Sequence, residues 1–283
     1  MDVHWLYYAF VFHKVVSVYS GEILLYSLND GNKIPAVALG TSLGHLADGT
    51  RVLPVNHSLA QAVQWALEDG YRHIDTASLY KVEDEVGLGI RNYVRDSRVD
   101  RRDIYVTTKL WNDAHERDEV RPALKKSLEE LGLDYVDLYL MHYPMAYKKD
   151  GNISQTDYVE TWKGLENVKE ANLTKSIGVS NFNLSQMQRL WERSRIKPAV
   201  LQIELDRKLV AIPRSTNKDR IKQNIDLMDF SLTSEEVEEL SSFNSNYRLR
   251  TPAKWYPHPH FPFERKNLTS IEIEHIIANS KDD

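Results

Sequence analysis

The sequence predicts an α/β fold in which consecutive βα units surround a parallel sheet, and three observations support this prediction. Short runs of β-branched and aromatic residues alternate with helical patterns from about residue 35 onward. Glycines stand just beyond two of the helical patterns, at Gly70 and Gly132, where a helix commonly ends. Polar side chains end several of the apolar runs, as active-site residues do at the carboxyl ends of parallel strands.

The composition limits the kinds of site and partner. The chain has 283 residues, enough for one large domain with a full hydrophobic core or for two small ones. A net charge of −5 argues against nucleic acid or an anionic membrane surface as the main partner. The absence of cysteine excludes disulfides, thiolate chemistry and Cys-based zinc sites. No histidines form a His-x-x-x-His pair, and we interpret His258 and His260 as loop packing, so we expect no metal site.

The first residues are interpreted separately. Residues 1–24 are predicted to be a leader of uncertain role, and residues 25–283 a single domain. An apolar run over residues 5–12 is far too short to span a bilayer. It is aromatic, and only Asp2 precedes it among charged residues, so it differs from a secretory signal. We expect a cytoplasmic protein, with an extra strand as the other interpretation of this segment.

The predicted strands begin with a β-hairpin over residues 25–37, because Gly31 lies in a polar turn at its centre. The following runs are short, apolar and bounded by turn residues, as strands of a buried parallel sheet are. These strands are predicted at residues 36–39, 71–75, 104–108, 136–141, 176–179 and 200–205, with one more at 209–213.

The predicted helices are patterns in which apolar residues recur on one face. They lie at residues 58–69, 83–93, 117–131, 158–170 and 184–193. Asn183 is expected to cap the last of these, and Thr233 with Glu236 offers a capping box for a closing helix. The tail from Asn244 onward is rich in proline and aromatic residues and is expected to be loop.

One junction is too short for regular βα alternation. Only ten residues separate Gln202 from Pro213, whereas two parallel neighbours need a crossover of about a dozen residues or more. No helix fits within residues 206–208. A regular eight-stranded barrel would therefore lack one strand and its flanking helices between Leu209 and Val210.

Four ionisable side chains end neighbouring strands. Asp75 and Tyr80 close the second strand region, Lys109 ends the third and His142 ends the fourth. Carboxyl ends of parallel strands share one face, so these groups are expected to meet. A phenol with its ordinary pKa near ~10 donates a proton poorly. A neighbouring ammonium lowers that pKa, and a carboxylate holds the ammonium in place.

These residues therefore form a candidate proton-donating group. Tyr80, Lys109 and Asp75 supply its three parts, and a neutral His142 could orient a carbonyl. Each residue alone has an ordinary explanation: a tyrosine at a helix start, a solvated lysine, a capped core histidine. Their joint placement favours a catalytic role.

With these residues in place, the chain resembles an aldo-keto reductase over residues 25–265. Residues 70–87, including Glu83, fit the first signature of that family, residues 175–182 the second, and residues 212–217 with Arg220 the third. The resemblance implies a (β/α)8 TIM barrel with an N-terminal β-hairpin, incomplete here because of the short junction. It also implies that Tyr80 is the general acid, tuned by Lys109 and Asp75, and that His142 orients the substrate.

The resemblance further implies NADPH as the cofactor, bound in an extended form. Thr41 and Asp75 would flank the nicotinamide ribose. The carboxamide would be held by Ser180, Asn181 and Gln202. The 2′-phosphate segment would comprise Arg214, Ser215, Thr216, Asn217, Arg220 and Asn224. Guanidinium groups suit a dianionic phosphate, which favours NADPH over NADH.

Departures from the family pattern qualify these expectations. Ser42 stands where many members carry tryptophan, which would enlarge a substrate pocket also lined by Trp111, His142, Tyr143 and aromatic residues of the C-terminal tail. Arg214 replaces a frequent lysine, and Gln223 a usual glutamate. The family segment that would follow Leu209 normally supplies strand seven, the aromatic ring under the nicotinamide and a loop over the pyrophosphate. We therefore expect weak cofactor binding or marginal folding.

The predicted activity is NADPH-dependent reduction of aldehydes or ketones by hydride transfer, with Tyr80 protonating the oxygen. The expected partner is a small carbonyl substrate, with no nucleic acid or membrane, and the expected state is a monomer. Two alternatives stay open. The chain could be a catalytically silent variant that acts as a binding subunit, or the junction could reflect a skipped exon.

Overall fold

The computed structural model describes residues 23–46, 50–202, 211–226 and 255–263, and five positions between 233 and 242. Residues 1–22, the junction at Leu209 and Val210, and most of the tail lie outside the described residues. The division into a leader and a single domain therefore stays a prediction.

The predicted hairpin is present. Strands β1 (Leu25–Ser27) and β2 (Lys33–Pro35) pair antiparallel, with Tyr26 opposite Ile34. Gly31 in the turn has a φ of 87°, a left-handed conformation that glycine adopts without strain. Leu28 and Ile34 pack against Tyr105 and other strand residues of the main sheet, and this contact places the hairpin at the end of the sheet where the strands begin.

A six-stranded parallel sheet forms the rest of the strand framework, with its strands in chain order. The strands are β3 (Leu39–Gly40), β4 (His73–Asp75), β5 (Tyr105–Leu110), β6 (Val136–Met141), β7 (Thr174–Ser180) and β8 (Leu201–Gln202). Every residue of β5 and β6 is buried, as expected for strands covered on both faces. The predicted α/β class with sequential βα units is confirmed.

The first and last strands differ from their predicted bounds. Only Leu39 and Gly40 pair with β4, although residues 36–39 were expected to form the strand. Backbone groups earlier in that run bond to the chain after the junction instead: Ala38 N donates to Ala211 O at 2.8 Å, and Ala211 N donates to Ala36 O at 2.8 Å. Gly40, which pairs with β4, also donates to Pro213 O at 2.9 Å. The strand predicted at 209–213 is thus represented by isolated bridges at 211 and 214, parallel to the chain at 37 and 40.

Among the described residues, five α-helices lie between the strands as predicted, and a sixth follows β8 and was not predicted from the sequence. They are α1 (Ser58–Glu68), α2 (Glu83–Asp96), α3 (Val120–Leu131), α4 (Tyr158–Glu170), α5 (Leu184–Arg193) and α6 (Lys218–Ile225). Helix α3 begins three residues later than the sequence suggested and ends at Gly132 in the left-handed conformation. Asn183 caps α5 through a reciprocal capping box. The box at Thr233 and Glu236 also forms, with both backbone N–H groups bonded to the opposite side chain.

The main hydrophobic core lies between the sheet and the helices. Its members include Ile74 of β4, Val106 of β5, Tyr139 of β6, Leu67 of α1, Ile90 of α2 and Trp162 of α4. Within the part of the chain that the structure describes, no helix combines the length and apolar character needed to cross a membrane. The core fixes the strands, and the strand ends fix the site described below.

Helices α2 and α3 approach so closely at Gly87 that no side chain fits there. A Cβ at this position would lie 2.0 Å from the backbone oxygen of Leu131. Gly87→Ala should therefore destabilise the fold by about 1–3 kcal/mol, as overpacking does, although alanine is the better helix former by about 1 kcal/mol. Urea denaturation measures the change, and a higher midpoint for Gly87→Ala would contradict the packing argument.

Candidate active site

Sheet register brings the four predicted side chains to one end of the strands. Asp75 is the last residue of β4 and Lys109 lies near the end of β5. His142 directly follows β6, and Tyr80 ends a 3₁₀ turn after β4. Pairing of Lys109 with Leu140 sets β5 against β6 in this register. The structure thus gathers an acid, a phenol, an ammonium and an imidazole at the carboxyl end of the sheet.

A buried ion pair forms the base of this cluster. Lys109 is 1% exposed, and its Nζ donates to Asp75 Oδ1 at 2.6 Å and to the Thr76 carbonyl at 3.1 Å. It also donates to Tyr80 Oη at 3.4 Å, so the phenol's own proton is not used in that bond. Gln202 Nε2 donates to the second carboxylate oxygen of Asp75 at 3.0 Å. The carboxylate therefore holds the ammonium against the phenol.

The surroundings keep Lys109 charged. Burial alone would lower the pKa of this lysine, but the nearby Asp75 carboxylate, and next the Tyr80 phenol, outweigh burial, and the pKa is raised. An ammonium at neutral pH next to Tyr80 stabilises the phenolate that remains once the phenol has given up its proton.

His142 is held as a neutral imidazole beside the phenol. Its ring centroid lies 5.8 Å from that of Tyr80, edge to face. Burial, followed by the charges of Lys109 and Arg51, lowers its pKa well below the ordinary value. Nδ1 of His142 is buried and has no hydrogen-bond partner among the described residues. A neutral ring can donate a hydrogen bond to a carbonyl oxygen that Tyr80 also reaches.

Aromatic rings wall the opening beside this group. Trp111 lies 5.4 Å from His142, and Tyr143 stacks on the same imidazole at 5.1 Å, between ring centroids. Trp255 packs 4.8 Å from Tyr143 and 6.0 Å from Trp111. Part of the C-terminal tail therefore folds over the strand ends and completes an apolar wall.

The histidines of this tail segment have a packing role, as predicted. His258 is fully buried, and its Nε2 lies 3.0 Å from the Ala146 carbonyl. Its Nδ1 accepts from the backbone N–H of His260. These bonds hold residues 255–263 against the loop after β6.

Most residues expected to hold the nicotinamide end of a cofactor surround Asp75. Thr41 Oγ1 donates to the Asp75 carbonyl at 3.0 Å. Asn181 is buried beside Ser180, and its Nδ2 donates to Ser180 Oγ and to the His142 carbonyl. Its backbone N–H donates to Gln202 O. Buried polar side chains therefore converge on the strand ends next to the ion pair.

The residues expected to grip a phosphate form a second cluster, at the start of α6. Asn217 caps the helix, with Oδ1 accepting from the Arg220 backbone at 3.0 Å, and Ser215 Oγ accepts from Asn217 N. The guanidinium of Arg214 donates to the Ser42 carbonyl at 3.4 Å. Thr216, Asn217 and Arg220 are exposed, and Asn224 is half-buried. Guanidinium groups, hydroxyls and a helix N-terminus are a donor set that fits a phosphate.

Two contributors to the site were not expected from the sequence, and a third, Trp255, was expected only as one of the aromatic residues of the tail. Thr76 acts through its carbonyl, Trp255 through a tail contact, and Arg51 from a loop that carries no periodic pattern. No sequence signal marks Arg51. A separate cavity of about 350 Å³ between α1 and α2 reaches Thr216 but contains none of the four ionisable residues, so it is not the reaction site.

Fold and site together define a βα-barrel-like protein with a proton-donating cluster at the carboxyl ends of its strands. The sequence profile of the Aldo/keto reductase family matches residues 38–206. Aldo-keto reductase AKR2E4 of Bombyx mori is 40% identical over an alignment of 302 residues that takes in 83% of this chain and 97% of the relative. The chain belongs to the aldo/keto reductase family.

Solved structures of family members agree with this fold. The crystal structure of Bombyx mori AKR2E4 in complex with NADP matches with a TM-score of 0.79 at 38% identity, covering 86% of this chain and 99% of that one. Aldo-keto reductase AKR2E5 complexed with NADPH matches with a TM-score of 0.83 at 31% identity, covering 95% and 100%.

Proposed function

We propose that this protein reduces aldehydes or ketones to alcohols with NADPH, and that Tyr80 is the general acid. The observation that carries the proposal is the chain of contacts from Asp75 through the buried Lys109 ammonium to Tyr80 Oη, at 2.6 and 3.4 Å. Such a chain makes a phenol a competent proton donor at neutral pH, because the phenolate forms beside a fixed positive charge.

The roles of the chain's own groups follow from their positions. A carbonyl oxygen in the opening accepts hydrogen bonds from Tyr80 Oη and from the neutral ring of His142. NADPH, when bound, supplies the hydride that reaches the carbonyl carbon. Tyr80 gives its proton to the oxygen, and Lys109 stabilises the phenolate that is left. Trp111 and Tyr143 hold the apolar part of the substrate and exclude water.

The cofactor assignment has two supports. Family members of similar fold have been crystallised with NADP and NADPH. In this chain, Thr41 and Gln202 contact Asp75, and Asn181 contacts Ser180. These four residues would hold the nicotinamide and its ribose. The phosphate cluster, of which Arg214, Ser215, Thr216, Asn217, Arg220 and Asn224 are members, would hold the adenosine 2′-phosphate.

A direct assay tests the proposal. Purified protein is mixed with NADPH and a simple aromatic aldehyde, and the loss of NADPH absorbance is followed together with alcohol formation. Turnover of NADPH that matches the alcohol produced supports the proposal. NADPH binding without any turnover across a panel of aldehydes and ketones would contradict it.

Arg220→Ala should weaken NADPH binding at least tenfold while changing NADH binding little. The exposed guanidinium at the start of α6 is expected to pair with the 2′-phosphate, which NADH lacks, and hydrogen bonds between charged groups contribute about 1.5–3 kcal/mol. Fluorescence titration with both nucleotides measures the difference. Equal weakening of both would show that Arg220 does not contact the 2′-phosphate.

A second candidate function is a catalytically silent family member that acts as a binding subunit. Two observations favour keeping it. The family profile ends at Asp206, within the short junction between Gln202 and Pro213. The alignment with AKR2E4 has 302 positions although the chain has 283 residues. We infer that part of the relative has no counterpart here and place this gap after Leu209. No NADPH binding in titration would favour the silent form.

A skipped exon at Leu209 and Val210 would explain the same gap, and sequencing the transcript across these residues tests that explanation.

A monomeric, cytoplasmic protein completes the proposal. Size-exclusion chromatography and cell fractionation test these two points.

A further inference from the structure

Arg51 lies beside the proposed active site, in the loop that connects β3 to α1. Its Cζ is 6.0 Å from the centroid of the Tyr80 ring, within the range of a cation–π contact. Both side chains are partly accessible to solvent. The guanidinium therefore stands next to the phenol, and both side chains reach solvent there.

In the loop that carries Arg51, the described residues 44–46 pair with the described residues 50–52. Its two arms pair antiparallel between His45 and Arg51, and Val52 N donates to the Gly44 carbonyl at 3.0 Å. These contacts form a short antiparallel ladder between β3 and α1. The ladder fixes the backbone position of Arg51, so that placing its guanidinium at the opening costs little conformational entropy.

The buried Lys109 ammonium, deeper in the site, does not present a positive charge at the opening as Arg51 does. Lys109 is buried and bonded to Asp75, Thr76 O and Tyr80, with its position set by those three contacts. Arg51 stands in front of the same phenol, and its charge also lowers the pKa of His142, after burial and Lys109. Its field thus reaches the group that would orient the carbonyl.

We propose that Arg51 is a substrate-recognition residue that selects aldehydes and ketones carrying a carboxylate. The guanidinium has five N–H donors in a planar fork, so it can keep its existing contacts and still hold a carboxylate through paired hydrogen bonds. The carboxylate would lie on the solvent side of Tyr80, and the rings of Trp111 and Trp255 would cover the apolar part that joins it to the carbonyl. This inference rests on the proposed reductase function.

The test compares para-carboxybenzaldehyde with its methyl ester, which has a similar shape but no charge. The unmodified protein should show the higher kcat/KM for the acid, mainly through KM, and the preference should shrink at high salt. Arg51→Gln should reduce the acid-to-ester ratio by roughly tenfold or more, the effect of losing hydrogen bonds to a charged group. Arg51→Lys, which keeps the charge without the fork, should fall between.

Arg98→Gln is the matched control. It removes the same charge from an exposed site between α2 and β5, at the end of the sheet where strands begin, and should leave the ratio unchanged. An identical acid-to-ester ratio of kcat/KM in Arg51→Gln and in the unmodified protein would overturn the proposed role of Arg51. Reduction of the aldehydes in that experiment would still support the reductase function.

If neither aldehyde is reduced, that result contradicts the proposed reductase function but does not test carboxylate recognition by Arg51. Equilibrium binding of the two compounds then tests that recognition. Trp111 and Trp255 flank the opening, so tryptophan fluorescence reports occupancy by either compound. Tighter binding of the acid that is lost in Arg51→Gln supports carboxylate recognition. Equal affinities for acid and ester in the unmodified protein overturn it.

Discussion

Tyr80→Phe should lower kcat/KM for carbonyl reduction by roughly a hundredfold to ten-thousandfold, the contribution typical of a positioned general acid. The substitution removes one oxygen atom and leaves the ring that contacts His142 edge to face. The proton donor is lost, whereas the residues expected to bind NADPH are untouched. NADPH affinity, measured by fluorescence titration, should therefore stay close to that of the unmodified protein.

Tyr93→Phe is the control for this experiment. Tyr93 lies in α2, packs in the hydrophobic core and has the Arg72 guanidinium 5.7 Å from its ring centroid. It is outside the proposed catalytic group, so loss of its hydroxyl should not change turnover. If Tyr80→Phe kept the activity of the unmodified protein, another group would have to protonate the oxygen. His142 is a poor candidate for that role, because its pKa is held well below the ordinary value.

The predictable part of the molecule is the part governed by local pattern. Hydrophobic periodicity gave the helices α1 to α5 and their order, and cap residues such as Asn183 and Gly132 were correctly identified because capping depends on a few neighbouring residues. The meeting of Tyr80, Lys109 and Asp75 also followed from the sequence, because parallel strands in register bring their carboxyl ends together.

Features set by long-range contact were not predictable in the same way. Strand β3, the first strand of the parallel sheet, is shorter than expected because Ala36 and Ala38 bond to Ala211, which is far away along the chain. Arg51 reaches Tyr80 only because its loop folds back on itself, and Trp255 reaches Trp111 only through the path of the tail. Neither loop carries a periodic pattern from which such a path could be inferred.

Lys109→Met should reduce both stability and activity. Lys109 is buried, and its removal leaves the Asp75 carboxylate with Gln202 as a hydrogen-bond donor but no cation. Breaking a buried ion pair from one side typically costs about 3–5 kcal/mol, because an uncompensated charge stays in the interior. The urea midpoint should fall accordingly, and carbonyl reduction should be lost with the charge that supports Tyr80. An unchanged midpoint would contradict the buried pairing.

The double variant Lys109→Met with Asp75→Asn separates the two effects. It removes both charges, so the unfavourable buried carboxylate is gone and a large part of the lost stability should return. Activity should not return, because no ammonium remains beside the phenol. If stability and activity recovered together, Lys109 would act in the reaction only by maintaining the fold. Recovery of stability alone, with NADPH affinity retained in fluorescence titration, would indicate that the charge of Lys109 is needed for proton transfer from Tyr80.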